Sequence, residues 1–195
     1  MQIQFLDASA ATPARLVARL VNQDAVPADL EPVLAAAAKM ARFSGKAGQM
    51  FEGFVERDGK VVRVALAGIG GADAKDRRAA IEKAGAAVVA KYLTSGETSL
   101  ALDVTGAGFS AEDAVAALLG AVLRSWRHDV YRTKLGDDKK PSLTEISVVG
   151  APEGAEALWG VEQAVAAGVS LTRELVTEPA NTIYPETFVE RCKPR

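Results

Sequence analysis

Apolar and polar residues follow two different periods along this chain, and the changes between them mark its elements. Residues 3–6 read as a short first strand. Residues 15–21 satisfy neither period cleanly and remain open between strand and helix. Pro27 and Asp29 open an Ala-rich helix predicted to reach about Phe43, where Ser44-Gly45-Lys46-Ala47-Gly48 stops it with two glycines. Residues 50–56 and 60–67 flank Asp58-Gly59, the dipeptide that accepts the positive φ angles of a type I′ turn, and so predict a hairpin. The second of these runs is apolar at nearly every position, as expected of a central strand covered on both faces.

Residues 74–93 predict a helix with Asp73 as N-cap and with Ile81, Ala84, Val88 and Tyr92 on its buried face. A strand over 98–104 follows. Ser110 and Asp113 then form a capping-box-like pair ahead of an amphipathic stripe of Val115, Leu118, Leu119, Val122 and Trp126. Residues 144–149 predict another strand and 153–176 a long helix, whose Ala164, Ala167 and Gly168 suit close packing on a neighbour. Strand–helix alternation with one hairpin implies an α/β sandwich with a mixed sheet rather than a purely parallel one. A boundary is expected at Thr177-Glu178-Pro179-Ala180-Asn181, because Pro179 disfavours helical geometry at Glu178, with a new helix starting at Pro185. Its ten or so residues fall below the roughly 12–15 at which isolated helices become marginal in water, so the tail is expected to be mobile unless a neighbour orders it.

Composition narrows the chemistry. The chain has 195 residues, 49% of them apolar, with 25 Asp+Glu against 23 Lys+Arg. That balance gives no overall attraction to nucleic acid or an acidic membrane. No stretch approaches the roughly 20 apolar residues of a membrane span, and the first residues show no secretory signal, so a cytoplasmic protein is expected. One His and one Cys cannot build a zinc finger or a three-histidine site, and no Gly-x-Ser-x-Gly elbow accompanies His128. Asp103, Glu112 and Asp113 are the densest carboxylates near a strand end, with no His beside them.

Two motifs have the residue types of a binding site. Gly68-Ile69-Gly70-Gly71 lies between a strand and a helix, where backbone N–H groups can cradle a phosphate, and Gly106-Ala107-Gly108 offers a second such loop. The plainer reading of the first is a tight turn needing positive φ. Arg124, Arg127, Arg132 and Lys134, interleaved with Trp126, His128 and Tyr131, have the composition of a phosphate or DNA patch. The plainer reading is the charged end of a helix. Cys192 stands between Arg191 and Lys193 in the tail.

Three segments resemble the N-terminal part of the M17 leucyl aminopeptidase (cytosol aminopeptidase) family. They are Phe43-Ser44-Gly45-Lys46-Ala47-Gly48-Gln49 with the hairpin behind it, the helix ending in Trp126 and Tyr131-Arg132-Thr133-Lys134, and Thr172-Arg173-Glu174-Leu175-Val176-Thr177-Glu178-Pro179-Ala180-Asn181. Thr177 stands where the family usually has Asn, and Tyr184 precedes Pro185 where Thr is usual. The resemblance implies a three-layer α/β/α sandwich with a mixed sheet, a macro-domain-like N-terminal domain over residues 1–176, with 177–195 as the junction to a catalytic domain. It further implies that the two divalent metals (Mn or Zn), their ligands and the catalytic residues belong to that C-terminal domain, and that the parent enzyme is a homo-hexamer. No catalytic or metal residue carries over to a position of this sequence. The same resemblance brings two alternatives, binding of ADP-ribose-like nucleotides at the glycine loops and regulatory DNA binding at the basic patch.

Overall fold

The computed structural model describes residues 1–9, 14–106 and 108–193. In chain order these form β1 (Gln2–Leu6), β2 (Leu16–Asn22), α1 (Pro32–Met40), β3 (Met50–Arg57), β4 (Lys60–Gly70), α2 (Arg77–Tyr92), β5 (Ser99–Asp103), α3 (Ala111–Ser125), β6 (Glu145–Val149), α4 (Ala155–Thr177) and α5 (Pro185–Cys192). One sheet runs in the order β1-β6-β5-β2-β4-β3. All its neighbours are parallel except the β3–β4 hairpin. Asp58 (φ 51°) and Gly59 (φ 72°) make the hairpin turn in the left-handed conformation that the Asp-Gly dipeptide predicts.

The segment left open by its period is β2, a strand in the interior of the sheet. Leu16, Ala18 and Leu20 face α2 and α3, while Val17 and Val21 face the other way, and all five are buried. A strand apolar on both faces loses the alternation by which strands are recognised. β4 follows the same rule from Val64 onward, whereas Val61 at its start is exposed.

Helices α2, α3 and α4 cover one face around a core of Ile81, Val88, Leu118, Leu102, Ile146 and Trp159. The shorter α1 covers part of the other, over Val21, Leu34, Phe43, Val64 and Leu66. This is the expected α/β/α sandwich with a mixed sheet. Several boundaries differ from the sequence reading. α1 begins only at Pro32, because proline disfavours helical geometry at the preceding Glu31, which is extended, and suits the first helical position. α2 begins at Arg77, and neither Asp73 nor the N-cap residue Asp76 caps it with a side chain. Ser110 does cap α3, accepting from the Asp113 N–H at 3.2 Å.

α3 is not amphipathic in its middle. Residues 114–121 are all buried, since α2 and α4 flank the helix and the sheet lies beneath it. Trp126 ends α3 in an extended conformation and is half-buried outside the main core. The small residues of α4 also differ from expectation: Ala164, Ala167 and Gly168 face solvent, and the core contacts come from Ala155, Trp159 and Ala166. α5 forms, with no buried residue, and is tied back to α4 by Arg191, whose guanidinium lies 2.6 Å from Glu174 and 3.7 Å from Glu178.

At the far end of α2, the buried Tyr92 donates a 2.7 Å hydrogen bond to Glu52 on β3, and Lys91 lies 3.1 Å from the same carboxylate. Tyr92's hydrogen bond, ahead of Lys91, holds the Glu52 carboxyl below its ordinary 4.5. A carboxyl depressed in the folded state stabilises the protein above its unfolded value and loses that contribution as pH falls through the folded one. Tyr92→Phe should therefore cost about 1 kcal/mol at neutral pH and flatten the decline of stability below pH 4.5. Urea midpoints of both proteins across that acid range check this; parallel curves would contradict it.

Candidate functional site

The carboxyl ends of β2, β4 and β5 meet at one edge of the sheet, where parallel α/β folds place their ligands. Two arginines organise it. Arg19, a lone charge in the apolar β2 run, is only 7% exposed. Its guanidinium lies 2.9 Å from Asp29 and 3.0 Å from Asp103 at the end of β5. Asp103 also accepts from the Thr105 N–H (2.9 Å) and hydroxyl (2.7 Å). The Arg19 hydrogen bond is the main reason the Asp29 carboxyl sits below its ordinary value. Arg77 at the start of α2 donates to Asn22 at the end of β2 (2.7 Å), faces Asp113 of α3 at 3.5 Å and lies over the Phe109 ring. Both arginines thus join strand ends to loops and spend their charge on internal carboxylates.

The glycines of the predicted loop have structural duties here. A Cβ on Gly68 would stand 2.1 Å from the Lys46 carbonyl oxygen, so only glycine allows residues 45–48 to lie against β4. The Gly68 N–H donates to Gln49 O and the Gly70 N–H to Gly45 O, while Gly70 itself has φ 79°. The facing loop is shaped by Gln49, whose Oε1 accepts from the backbone N–H groups of Ser44 (3.0 Å) and Lys46 (3.1 Å). Gly71 belongs to the turn into α2, where its carbonyl accepts from Ala74. A hollow of about 490 Å³ beside Gly70 is lined by Gly48, Ala79, Lys75 and Lys83. Of the second glycine loop, Gly106 packs against Arg19 and Gly108 has φ 60°, and Ala107 lies outside the described residues.

The basic–aromatic segment follows α3. Arg127 and Arg132 both turn to Asp129, at 2.6 and 3.5 Å. The closer contact is an ion pair off the hydrogen-bonding direction, since that Asp129 oxygen has no aligned donor. Trp126 stacks on His128, and Arg173 of α4 covers the Trp126 ring. Tyr131 donates to Glu178 beyond α4. Arg124 and Lys134 are exposed and carry no ion pair among the described residues. The segment therefore clamps the end of α3 to the end of α4, with two of its four cations sharing one carboxylate.

The carboxylates singled out by the sequence do not converge. Asp103 belongs to Arg19 and Asp113 faces Arg77. Among the described residues no three His, Cys, Asp or Glu side chains are placed to hold a metal ion. The donor set of these residues does not fit a two-metal centre. Nor is any described helix long and apolar enough to cross a membrane.

The fold is thus a mixed six-stranded α/β sandwich whose strand ends are held by internal ion pairs. Comparison with known proteins gives the family. The profile of the cytosol aminopeptidase family, N-terminal domain, matches residues 14–135, and the chain belongs to that family. A probable cytosol aminopeptidase of Rhizobium etli (strain CIAT 652) is 36% identical over 169 residues, which are 85% of this chain and 34% of the relative. One from Caulobacter vibrioides is 35% identical over 161 residues, 82% of this chain and 32% of its own. The chain thus spans about a third of the length of the curated relatives it matches. Among solved structures, a mutant of tomato leucine aminopeptidase superposes with a TM-score of 0.74 at 25% identity, over 97% of this chain and 41% of the other. The bottromycin maturation enzyme BotP in complex with Mn gives 0.71 at 28% identity, over 91% and 35%.

Proposed function

We propose that this chain serves as the non-catalytic N-terminal domain of a cytoplasmic, metal-dependent leucyl aminopeptidase, packing on the catalytic domain and supporting a homo-hexamer. The domain extends to residue 176, and residues 177–195 are the junction leading to the catalytic domain. That partner holds two divalent metals (Mn or Zn), which when bound activate water and polarise the scissile carbonyl. The residues described here supply neither ligands nor an acid–base pair for that step.

The outward face of α4 carries this reading. Ala157, Leu158, Val161, Ala164, Val165, Gly168, Leu171, Thr172, Leu175 and Val176 share one side of the helix without a single charge. Val161 is 67% exposed and Val165 50%. A helix apolar on both its sides is a buried helix, and an uncharged face of this length matches a permanent interface rather than a transient one. The remaining two-thirds of the matched relatives is the partner of the right size.

A hybrid enzyme tests it. When the matched N-terminal third of the Rhizobium etli relative is replaced by this chain, the hybrid should hydrolyse leucine p-nitroanilide with Mn present. Val161→Glu with Val165→Glu should cut the yield of assembled, active hybrid at least tenfold. The 195-residue chain alone should not hydrolyse that substrate. Hydrolysis by it, or stoichiometric sub-micromolar Mn binding in a calorimeter, would overturn the assignment.

A further inference from the structure

The two edges of the sheet are built differently. β3, at one edge, carries Glu52, Glu56 and Arg57, charges that discourage a further strand. β1, at the other, reads Gln-Ile-Gln-Phe-Leu, with no charge, proline, glycine or bulge, and it pairs in unbroken register with β6 from Gln2 to Leu6. Natural sheets seldom leave such an edge open.

The backbone directions along β1 are determined by its bonds to β6. The Gln2 N–H donates to Thr144 O, and the Leu6 carbonyl accepts from the Gly150 N–H. By the alternation of a strand, Gln2, Gln4 and Leu6 point their backbone groups at β6, and Ile3 and Phe5 point theirs away from it. The side chains divide in the complementary way. Ile3 and Phe5 pack against the α2–α3–α4 core, while Gln4 lies on the other face and donates to Glu145 and to Ser147 at 2.7 Å. Beside this edge runs a hollow of about 640 Å³, lined by Ile3, Phe5, Trp159 and Gly160 together with the polar Glu156 and Gln163. A Cβ on Gly160 would meet nothing within 4 Å, so the wall is open to a strand laid alongside.

We propose that two copies of this chain pair antiparallel through their β1 edges about a two-fold axis at Gln4. The register follows from the outward-pointing groups. Ile3 lies opposite the partner's Phe5 and Phe5 opposite the partner's Ile3, each pair exchanging two backbone hydrogen bonds, as antiparallel hydrogen-bonded pairs do. Gln4 meets the partner's Gln4 as the intervening non-hydrogen-bonded pair. Two copies that meet through the same edge about a two-fold axis run antiparallel, and in this register all four outward groups are satisfied while apolar Ile3 and Phe5 face each other. Ile–Phe cross-strand contacts add apolar surface on the side of Trp159, and the neutral side chains of β1 place no like charges opposite one another. The surface is separate from the α4 face assigned to the catalytic domain, so the pairing does not rest on that assignment.

Sedimentation of the 195-residue chain from low micromolar to sub-millimolar concentration reads the pairing. The average mass should climb from 20.4 kDa toward twice that value. Ile3→Pro removes an outward donor and no bond to β6; with its helical circular dichroism intact it should stay monomeric. Register is read by cysteine cross-linking in a Cys192→Ser background. Gln4→Cys sits at the axis, where facing Cα atoms are about 4.5 Å apart, close enough for a disulfide. Gln2→Cys faces the partner's Leu6, leaving the two substituted positions about 13 Å apart along the strand. Oxidation should cross-link the Gln4→Cys protein at least tenfold faster. A monomer at every concentration, a dimer indifferent to Ile3→Pro, or equal cross-linking of the two cysteine variants would overturn the proposal.

Discussion

Gly120→Leu should prevent folding, and Gly120→Ala should destabilise by about 2 kcal/mol, although alanine is the better helix former. Gly120 on α3 faces Glu82 on α2, and an added Cβ would stand 1.9 Å from the Glu82 carbonyl oxygen. The reciprocal contact is made by Gly85, whose added Cβ would lie 2.0 Å from Ala117 O. Both obstacles are backbone atoms held by their own helix, so no side-chain rotation relieves them. The helices must separate, and every contact between α2 and α3 loosens with them. Overpacking costs of about 3 kcal/mol are then offset only in part by the roughly 1 kcal/mol that alanine gains in a helix. Gly168→Ala on α4 is the control. Its Cβ would meet nothing within 4 Å, so the same change should stabilise the isolated chain by up to about 1 kcal/mol. Urea unfolding followed by circular dichroism reads both. Effects of the same sign at positions 120 and 168 would contradict the close contact of α2 and α3.

Arg19→Ala should cost about 3–5 kcal/mol, the range for breaking a buried ion pair by removing one member. The guanidinium is buried on the sheet, and Asp103, its partner at the strand end, is itself mostly covered, with a side chain 19% exposed. Asp29 is 71% exposed, so its pairing is screened and Asp29→Ala should cost under about 1 kcal/mol. The expected order is therefore Arg19 first, Asp103 second and Asp29 a distant third. Arg19→Met with Asp103→Leu should recover much of the loss, because two apolar side chains leave no buried charge without a partner. Chemical denaturation of the four variants decides the matter. If Asp29→Ala proves as costly as Arg19→Ala, the network is held from its exposed side and the energetic assignment fails.

Features read correctly from the chain have local causes. The hairpin was legible because a type I′ turn requires positive φ at both central positions and Asp58-Gly59 accepts it. The start of α3 was legible because Ser110 caps through a bond spanning three residues. The family was legible in the junction around Pro179 and in the glycine motif at 44–49, and the family profile bears it out over residues 14–135.

The glycine loop was located by sequence, but its reason was not. Gly68 is required by the approach of Lys46, twenty-two residues away in the chain, and Gln49 is the residue that shapes that approach. Arg19 carries a signal of its own in the sequence, a single charge inside an apolar strand. Such a residue needs a partner, and Asp103 is brought to it only by the β2–β5 pairing.

The sequence alone determined most of the elements, the hairpin and the alternation that makes an α/β sandwich, since these depend on residues within a turn or two of one another. The tertiary structure decided the identity of β2, the burial of the middle of α3, the outward face of α4 and the place of β1 at the edge of the sheet. Each depends on what lies across a strand or helix, and a residue buried on both sides, or apolar and left outside, has the same letter in the chain either way.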